Sequence, residues 1–166
     1  MFSQKQIEEI VDLLYDMDKN TRIYIGTDSV RFKKEGRWYA KFATVCVIHM
    51  NGSKGCRVFD VRSVEPDYDL KKNRPSTRLM NEVIKSCEAY TQLAPFIDEF
   101  PIEIHCDINV DPKHGSNCVA TQAAGYVLGV TGLDEDHVKL KPDAWGASFG
   151  ADHYANRGSL KVDGLS

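Results

Sequence analysis

Two aspartates come directly after short runs of residues that favour buried strands. Asp28 follows the run IYIGT at 23–27, and Asp107 follows IEIHC at 102–106. A carboxylate beside a hydrophobic core must be hydrogen-bonded, paired with a cation or bound to a metal, because its desolvation alone is unfavourable. If the two strands are parallel neighbours, their backbones lie about 5 Å apart. Oxygen ligands at this spacing suit Mg²⁺ or Mn²⁺, so the two residues predict a divalent-cation site.

The chemistry that such a site supports is phosphodiester cleavage. Two cations about 3.5–4 Å apart, bridged by a shared carboxylate, activate a water and stabilise the leaving oxygen. Three or four carboxylates are needed for this arrangement. We therefore expect further acidic residues to reach the same place in the fold.

The elements that must position these residues are predicted by the hydrophobic pattern. Apolar residues at helical spacing predict a helix over 3–18, with a capping box formed by Ser3 and Gln6, and a second helix over 76–96. The first three strands form an antiparallel meander with a hairpin turn at 51–55, and later strands return through helices to lie parallel to the first strand. Predicted strands cover 22–28, 38–50, 56–64, 102–107 and 137–140, and further helices cover 117–129 and 145–157.

The composition indicates a single globular domain over 1–166, with 42% hydrophobic and 27% charged residues. The amino-terminal sequence does not resemble a signal peptide, and no apolar run reaches the roughly 18 residues of a membrane span, so we expect a cytoplasmic protein. Five cysteines without a C-x-x-C pair predict reduced, mostly buried thiols.

The net charge of −3 gives no general attraction to polyanions, so nucleic-acid binding would depend on local basic clusters. Trp38 and Tyr68 offer surfaces on which bases could stack. One cluster lies within 31–37, at Arg31, Lys33, Lys34 and Arg37. The other could steer a phosphate backbone towards the acidic site, and its members are Lys71, Lys72, Arg74 and Arg78.

Four motifs taken together resemble the RNase H-like YkuK family of bacterial and phage proteins. The motifs are IYIGTDS at 23–29, RLMNEVIKS at 78–86, EIHCDIN at 103–109 and KPDAWGASFGADHYANR at 141–157. The resemblance implies an α/β RNase H-like fold, in which a mixed five-stranded sheet carries helices on both faces, here with an extra N-terminal helix. It also implies a two-metal carboxylate site that binds Mg²⁺ or Mn²⁺.

The resemblance also implies the residues of that site, among them Glu82 on the second predicted helix and Asp152 on the last one. Glu88 is the alternative to Glu82, and Asp143 is the alternative to Asp152. Glu82 lies on the shoulder of its helix's apolar stripe and, taken alone, is typical of a solvated residue. The implied catalytic and metal-binding residues are Asp28, Glu82, Asp107 and Asp152.

These observations predict a divalent-metal-dependent nuclease acting on RNA, an RNA–DNA hybrid or branched DNA. A non-catalytic nucleic-acid-binding or assembly module with the same fold is the alternative. A zinc-stabilised domain is a third reading, since His105, Cys106, His114 and Cys118 are residue types that bind Zn²⁺. Adjacent residues on a strand point to opposite faces, so His105 and Cys106 would not easily share one ion. A structural role for His105 is favoured over a role as a ligand.

Overall fold

A computed structural model describes residues 1–51, 54–69, 76–109, 111, 113–114 and 119–141. The elements are, in chain order, α1 (Gln4–Tyr15), β1 (Arg22–Lys34), β2 (Arg37–His49), β3 (Cys56–Pro66), α2 (Ser76–Ile97), β4 (Ile102–Asn109), α3 (Ala120–Thr131), a short 3₁₀ turn (Glu135–His137) and β5 (Val138–Lys141). The helix predicted over 145–157 lies outside the described residues.

The first helix begins with the predicted capping box. The Ser3 hydroxyl accepts a hydrogen bond from the Gln6 backbone N–H at 3.2 Å, and the Gln6 side-chain oxygen accepts from the Ser3 N–H at 2.9 Å. These two bonds satisfy backbone donors that have no partner inside the helix. α1 ends at Tyr15, before the predicted end at residue 18, while α2 follows its predicted range closely.

The five strands form one mixed sheet in the order β3-β2-β1-β4-β5. β1, β2 and β3 are paired antiparallel, whereas β4 pairs parallel with β1 and β5 pairs parallel with β4. This confirms the predicted topology. The last register pair between β1 and β4 joins Thr27 to Cys106, so Asp28 and Asp107 are the next residues on two neighbouring strands.

β1 is longer than the sequence predicted. The expected end at Asp28 is wrong, because pairing with β2 continues from Asp28↔Ala43 to Lys34↔Arg37. A two-residue turn at Glu35 and Gly36, with φ of 50° and 78°, closes this hairpin, and left-handed angles at both positions are typical of tight β-hairpins. β1 therefore extends past the end of its pairing with β4, and Asp28 lies where that pairing stops.

The three described helices pack on one face of the sheet, whereas the resemblance implied helices on both faces. Ile23 and Ile25 of β1 belong to a core cluster with residues of α1 and α2, and Ile104 and Cys106 of β4 belong to a second cluster with residues of α2 and α3. The opposite face buries Tyr24, Val45, Val47 and His105. No helix in the described part of the chain is long and apolar enough to cross a membrane.

Candidate active site

The carboxylate of Glu82 lies against the sheet, in the second turn of α2. Its side chain is only 4% exposed, so the expectation of a solvated helix residue is wrong. Ser29 Oγ donates a hydrogen bond to Glu82 Oε1 at 2.5 Å. Arg78 Nη1 lies 3.5 Å from the same oxygen and donates to Ser29 Oγ at 2.7 Å. The buried carboxylate thus has a hydroxyl and a guanidinium as partners.

A layer of small polar side chains lies beside Glu82, between α2 and the sheet. Thr27 Oγ1 lies 2.9 Å from Thr44 Oγ1 on the next strand. Ser86 Oγ lies 2.8 Å from Thr27 Oγ1 and 3.0 Å from the Glu82 carbonyl oxygen. The contact between α2 and β1 is therefore hydrogen-bonded here, where the rest of the helix packs through apolar side chains.

The charges of two nearby aspartates act on the carboxyl group of Glu82. Burial raises the pKa of Glu82 well above its usual range, and the negative charges of Asp28 and Asp107 raise it further. The hydrogen bond from Ser29 and the charge of Arg78 lower the pKa of Glu82, but they do not outweigh the other effects. Asp28 of β1 and Asp107 of β4 therefore lie near enough to Glu82 of α2 for their charges to affect its pKa.

These carboxylates approach that region from two sides of the sheet. Ser29 contacts Glu82 on the helix face, and Cys106 also packs on that face. Because side chains alternate along a strand, Asp28 and Asp107 project from the opposite face. β4 no longer pairs with β1 beyond Thr27, so the three groups lie around the open edge of β1.

The aspartates have partners within the protein. Asp28 Oδ1 accepts a hydrogen bond from the Ser29 N–H at 2.8 Å, and the Lys141 ammonium pairs with Asp107 Oδ1. The Lys141 side chain is 45% exposed and that of Asp107 is 23% exposed. Across the described ranges, no three His, Cys, Asp or Glu side chains are grouped closely enough to hold a metal ion.

The sequence of this chain matches the family model described as Ribonuclease H-like over residues 5–156. The chain belongs to the ribonuclease H-like family. Together with the mixed five-stranded sheet, this confirms the predicted family and fold. Membership of this family indicates a nuclease or another role related to nucleic acids. No curated protein and no solved structure matches the chain significantly.

Of the other site residues predicted for this RNase H-like chain, two are described by the structure. Arg78 contacts Ser29 and Glu82, and its side chain is 18% exposed. Glu88, the alternative to Glu82, is exposed on α2. Several predicted residues lie outside the described part of the chain, namely Asp143, Asp152, Lys71, Lys72 and Arg74.

Asp69 supports the site of the RNase H-like domain and was not predicted, whereas Arg31, predicted as part of a basic cluster, is paired within the protein. The Asp69 carboxylate accepts hydrogen bonds from the backbone N–H groups of Thr77 at 2.9 Å and Arg78 at 2.8 Å, which caps the first turn of α2. Arg31 donates to the Asp69 carbonyl oxygen at 2.9 Å and pairs with Asp67 at 2.6 Å. A search for caps next to the helix start misses Asp69, because the residue lies well upstream of Ser76.

Neither His105 nor Cys106 supports the zinc reading in this RNase H-like sheet. His105 Nε2 lies 2.8 Å from Glu103 Oε2, its ring packs 5.0 Å from that of Tyr24, and burial lowers the pKa of its imidazole. Cys106 faces the helices, where burial raises the pKa of its thiol to about 12. Buried Cys46, Cys87 and Cys106 agree with the predicted thiols, whereas Cys56 is exposed. Cys118 lies outside the described residues.

Proposed function

We propose that this protein is a divalent-metal-dependent nuclease that hydrolyses phosphodiester bonds in RNA, an RNA–DNA hybrid or branched DNA. The supporting observation is that Glu82 is a buried carboxyl group, whose pKa burial raises, and that the negative charges of Asp28 and Asp107 raise this pKa further. Such a concentration of negative charge is unfavourable unless a proton or a cation compensates it. A divalent cation supplies that compensation and is consistent with the RNase H-like family.

The donor set fits Mg²⁺ or Mn²⁺ in its chemistry. All three groups are carboxylates, the oxygen ligands that these cations prefer. Binding requires Lys141 to leave Asp107, and because its side chain is nearly half exposed the ammonium can move into water. A partly exposed pair of this kind contributes on the order of 1 kcal/mol, so its loss is a small cost. Asp152 is the proposed fourth ligand.

The side chains of this site would act as follows in the proposed reaction. When bound, the cations would polarise a water and neutralise charge on the scissile phosphate. Asp28 and Asp107 would fix their position at the edge of β1, and Ser29 would orient the carboxylate of Glu82. The substrate's phosphates would contact the basic cluster, formed by Lys71, Lys72, Arg74 and Arg78.

A cleavage assay over several nucleic acids tests this proposal. The wild-type protein should cleave at least one substrate in the presence of Mg²⁺ or Mn²⁺, and this cleavage should stop when EDTA is added. Asp28→Asn should lower the rate by about a hundredfold or more, since even groups that only support metal ligands are worth about 10–100-fold. Asp12→Asn, an exposed position on α1, is the matched control and should change nothing. Undiminished activity in Asp28→Asn would refute the assignment.

A non-catalytic nucleic-acid-binding or assembly module is the second candidate. The observation in its favour is that Lys141 pairs with Asp107 and that Arg78 lies 3.5 Å from Glu82 within the protein. This candidate predicts salt-sensitive binding that persists in EDTA, with no cleavage of any substrate. Cleavage that depends on a divalent cation and on Asp28 would exclude it.

A further inference from the structure

A second site lies at the other end of the sheet, where β1 begins and β2 ends. An open pocket of about 470 Å³ is found there. Among the described residues that line it, none is acidic, although the whole chain carries a net charge of −3. A local concentration of basic and hydrogen-bond-donating groups in an acidic protein indicates an anionic ligand. The pocket is lined chiefly by Lys19, Asn20, Arg22, Tyr24, His49 and Asn51.

The side-chain oxygen of Asn51 is held by two hydrogen bonds within the protein. Asn51 Oδ1 accepts hydrogen bonds from the Asp18 N–H at 2.9 Å and from Thr21 Oγ1 at 3.1 Å. The Asn51 N–H donates in return to Thr21 Oγ1 at 2.9 Å. Because Asn51 Oδ1 already accepts two hydrogen bonds, Nδ2 is the group of this amide that can donate a hydrogen bond to a ligand. Asn51 also holds a φ of 45°, a left-handed angle that asparagine tolerates better than most residues.

The side chain of Arg22 lines the same pocket as Asn51. Arg22 is exposed and its side chain hydrogen-bonds to Tyr24, which is buried in the wall of the pocket. A planar guanidinium recognises phosphate with two parallel hydrogen bonds, and such charge-assisted bonds are stronger than neutral ones. Lys19 adds a second positive charge at the rim, and His49 adds a ring nitrogen.

We propose that this pocket binds a phosphate group, held by Arg22, Lys19 and Asn51. Arg22 and Asp28 occupy alternate positions on the same face of β1, about 20 Å apart at about 3.3 Å per residue. A nucleic-acid strand advances about 3.4 Å per nucleotide in a duplex, so about six nucleotides would connect the two sites. The phosphate therefore belongs either to such a strand or to a free phosphorylated small molecule.

Binding measurements in EDTA separate these sources and do not depend on cleavage. Inorganic phosphate is titrated by calorimetry, and labelled single-stranded oligonucleotides of about four and about twelve nucleotides are titrated by fluorescence anisotropy. Arg22→Gln should weaken binding about tenfold, the loss expected for a charge-assisted hydrogen bond of about 1.5 kcal/mol. The control Arg57→Gln removes an exposed arginine from β3 and should leave binding unchanged.

Each outcome decides one point. An effect of Arg22→Gln on inorganic phosphate supports a site for small phosphorylated ligands, and an effect confined to the longer oligonucleotide supports a strand. Equal binding by wild type and Arg22→Gln in every titration would overturn the proposal. If Arg22→Gln fails to fold, as judged by circular dichroism, Lys19→Gln in the exposed segment before β1 provides the same test. Failure of the nuclease proposal would leave these results unaffected.

Discussion

The carboxyl group of Glu82 makes the stability of the folded protein depend on pH. Burial and the charges of Asp28 and Asp107 raise the pKa of Glu82 above its ordinary value of 4.5, which the unfolded chain retains. At pH values between the ordinary and the raised pKa of Glu82, the folded state binds more protons than the unfolded state. The free energy of unfolding contributed by Glu82 is therefore fully present below the ordinary value and is lost as the pH rises.

Glu82→Gln should remove this part of the pH dependence. Glutamine keeps an oxygen that accepts from Ser29 but does not ionise. We expect the variant to lose less stability than wild type as the pH rises above about 4.5, and to be the more stable protein at alkaline pH. Urea denaturation in EDTA at a series of pH values measures this difference. The control is Glu88→Gln, at an exposed position of the same helix, which should behave as wild type. If the stability of Glu82→Gln depended on pH as steeply as that of wild type, the proposed effect of Glu82 would be contradicted.

Lys141 competes with a divalent cation for Asp107 if the proposed site is correct. Replacing it in Lys141→Ala removes the ammonium group from Asp107 Oδ1. The affinity for Mn²⁺ should then rise about two- to fivefold, which corresponds to the free energy of an exposed ion pair. Isothermal titration calorimetry measures this change, with Lys113→Ala, an exposed lysine, as the control. A weaker affinity would show that Lys141 supports the site instead of opposing it.

At the scale of elements, α2 depends on a cap supplied from the preceding loop. Asp69 accepts two first-turn N–H groups, and Arg31 ties this loop to β1 through Asp67 and the Asp69 carbonyl oxygen. The same turn carries Arg78, which contacts Ser29 beneath Glu82. The cap therefore sets where α2 begins over the sheet.

Asp69→Ala should lower the free energy of unfolding by about 1–2 kcal/mol, the usual loss for a helix cap. The comparison is Asp12→Ala on the exposed side of α1, which should change stability by less than about 0.5 kcal/mol. Chemical denaturation measures both variants under identical conditions. Equal stabilities of the two variants would show that the hydrogen bonds of Asp69 contribute nothing.

The hydrophobic pattern predicted the helices and strands well, but it did not predict the polar contacts between them. Periodicity identified α2 and placed Glu82 at the edge of its apolar stripe, because the pattern records only apolar neighbours. The buried carboxylate of Glu82 accepts a hydrogen bond from Ser29 of β1, a residue far away in the sequence that no local pattern pairs with it. The length of β1 was missed for a similar reason, since the charged residues after Asp28 pair with β2 through a turn at 35–36.

At the scale of the whole molecule, the order of the predicted helices and strands is compatible with few sheet topologies. An antiparallel meander followed by strands that return through helices leaves β4 beside β1, and the structure has this order. This topology is why Asp28 and Asp107 could be placed on neighbouring strands in advance. The positions of Glu82 and Lys141 relative to them depend on long-range packing, which the sequence does not reveal.

A Mn²⁺ titration followed by electron paramagnetic resonance tests the central claim, that carboxylates of β1, α2 and β4 share divalent cations. The wild-type protein should bind Mn²⁺ saturably. Asp28→Asn, Glu82→Gln and Asp107→Asn should each weaken binding about tenfold or more, while Asp12→Asn should bind as wild type. Absence of saturable binding, or binding that is the same in all four variants, would contradict the account.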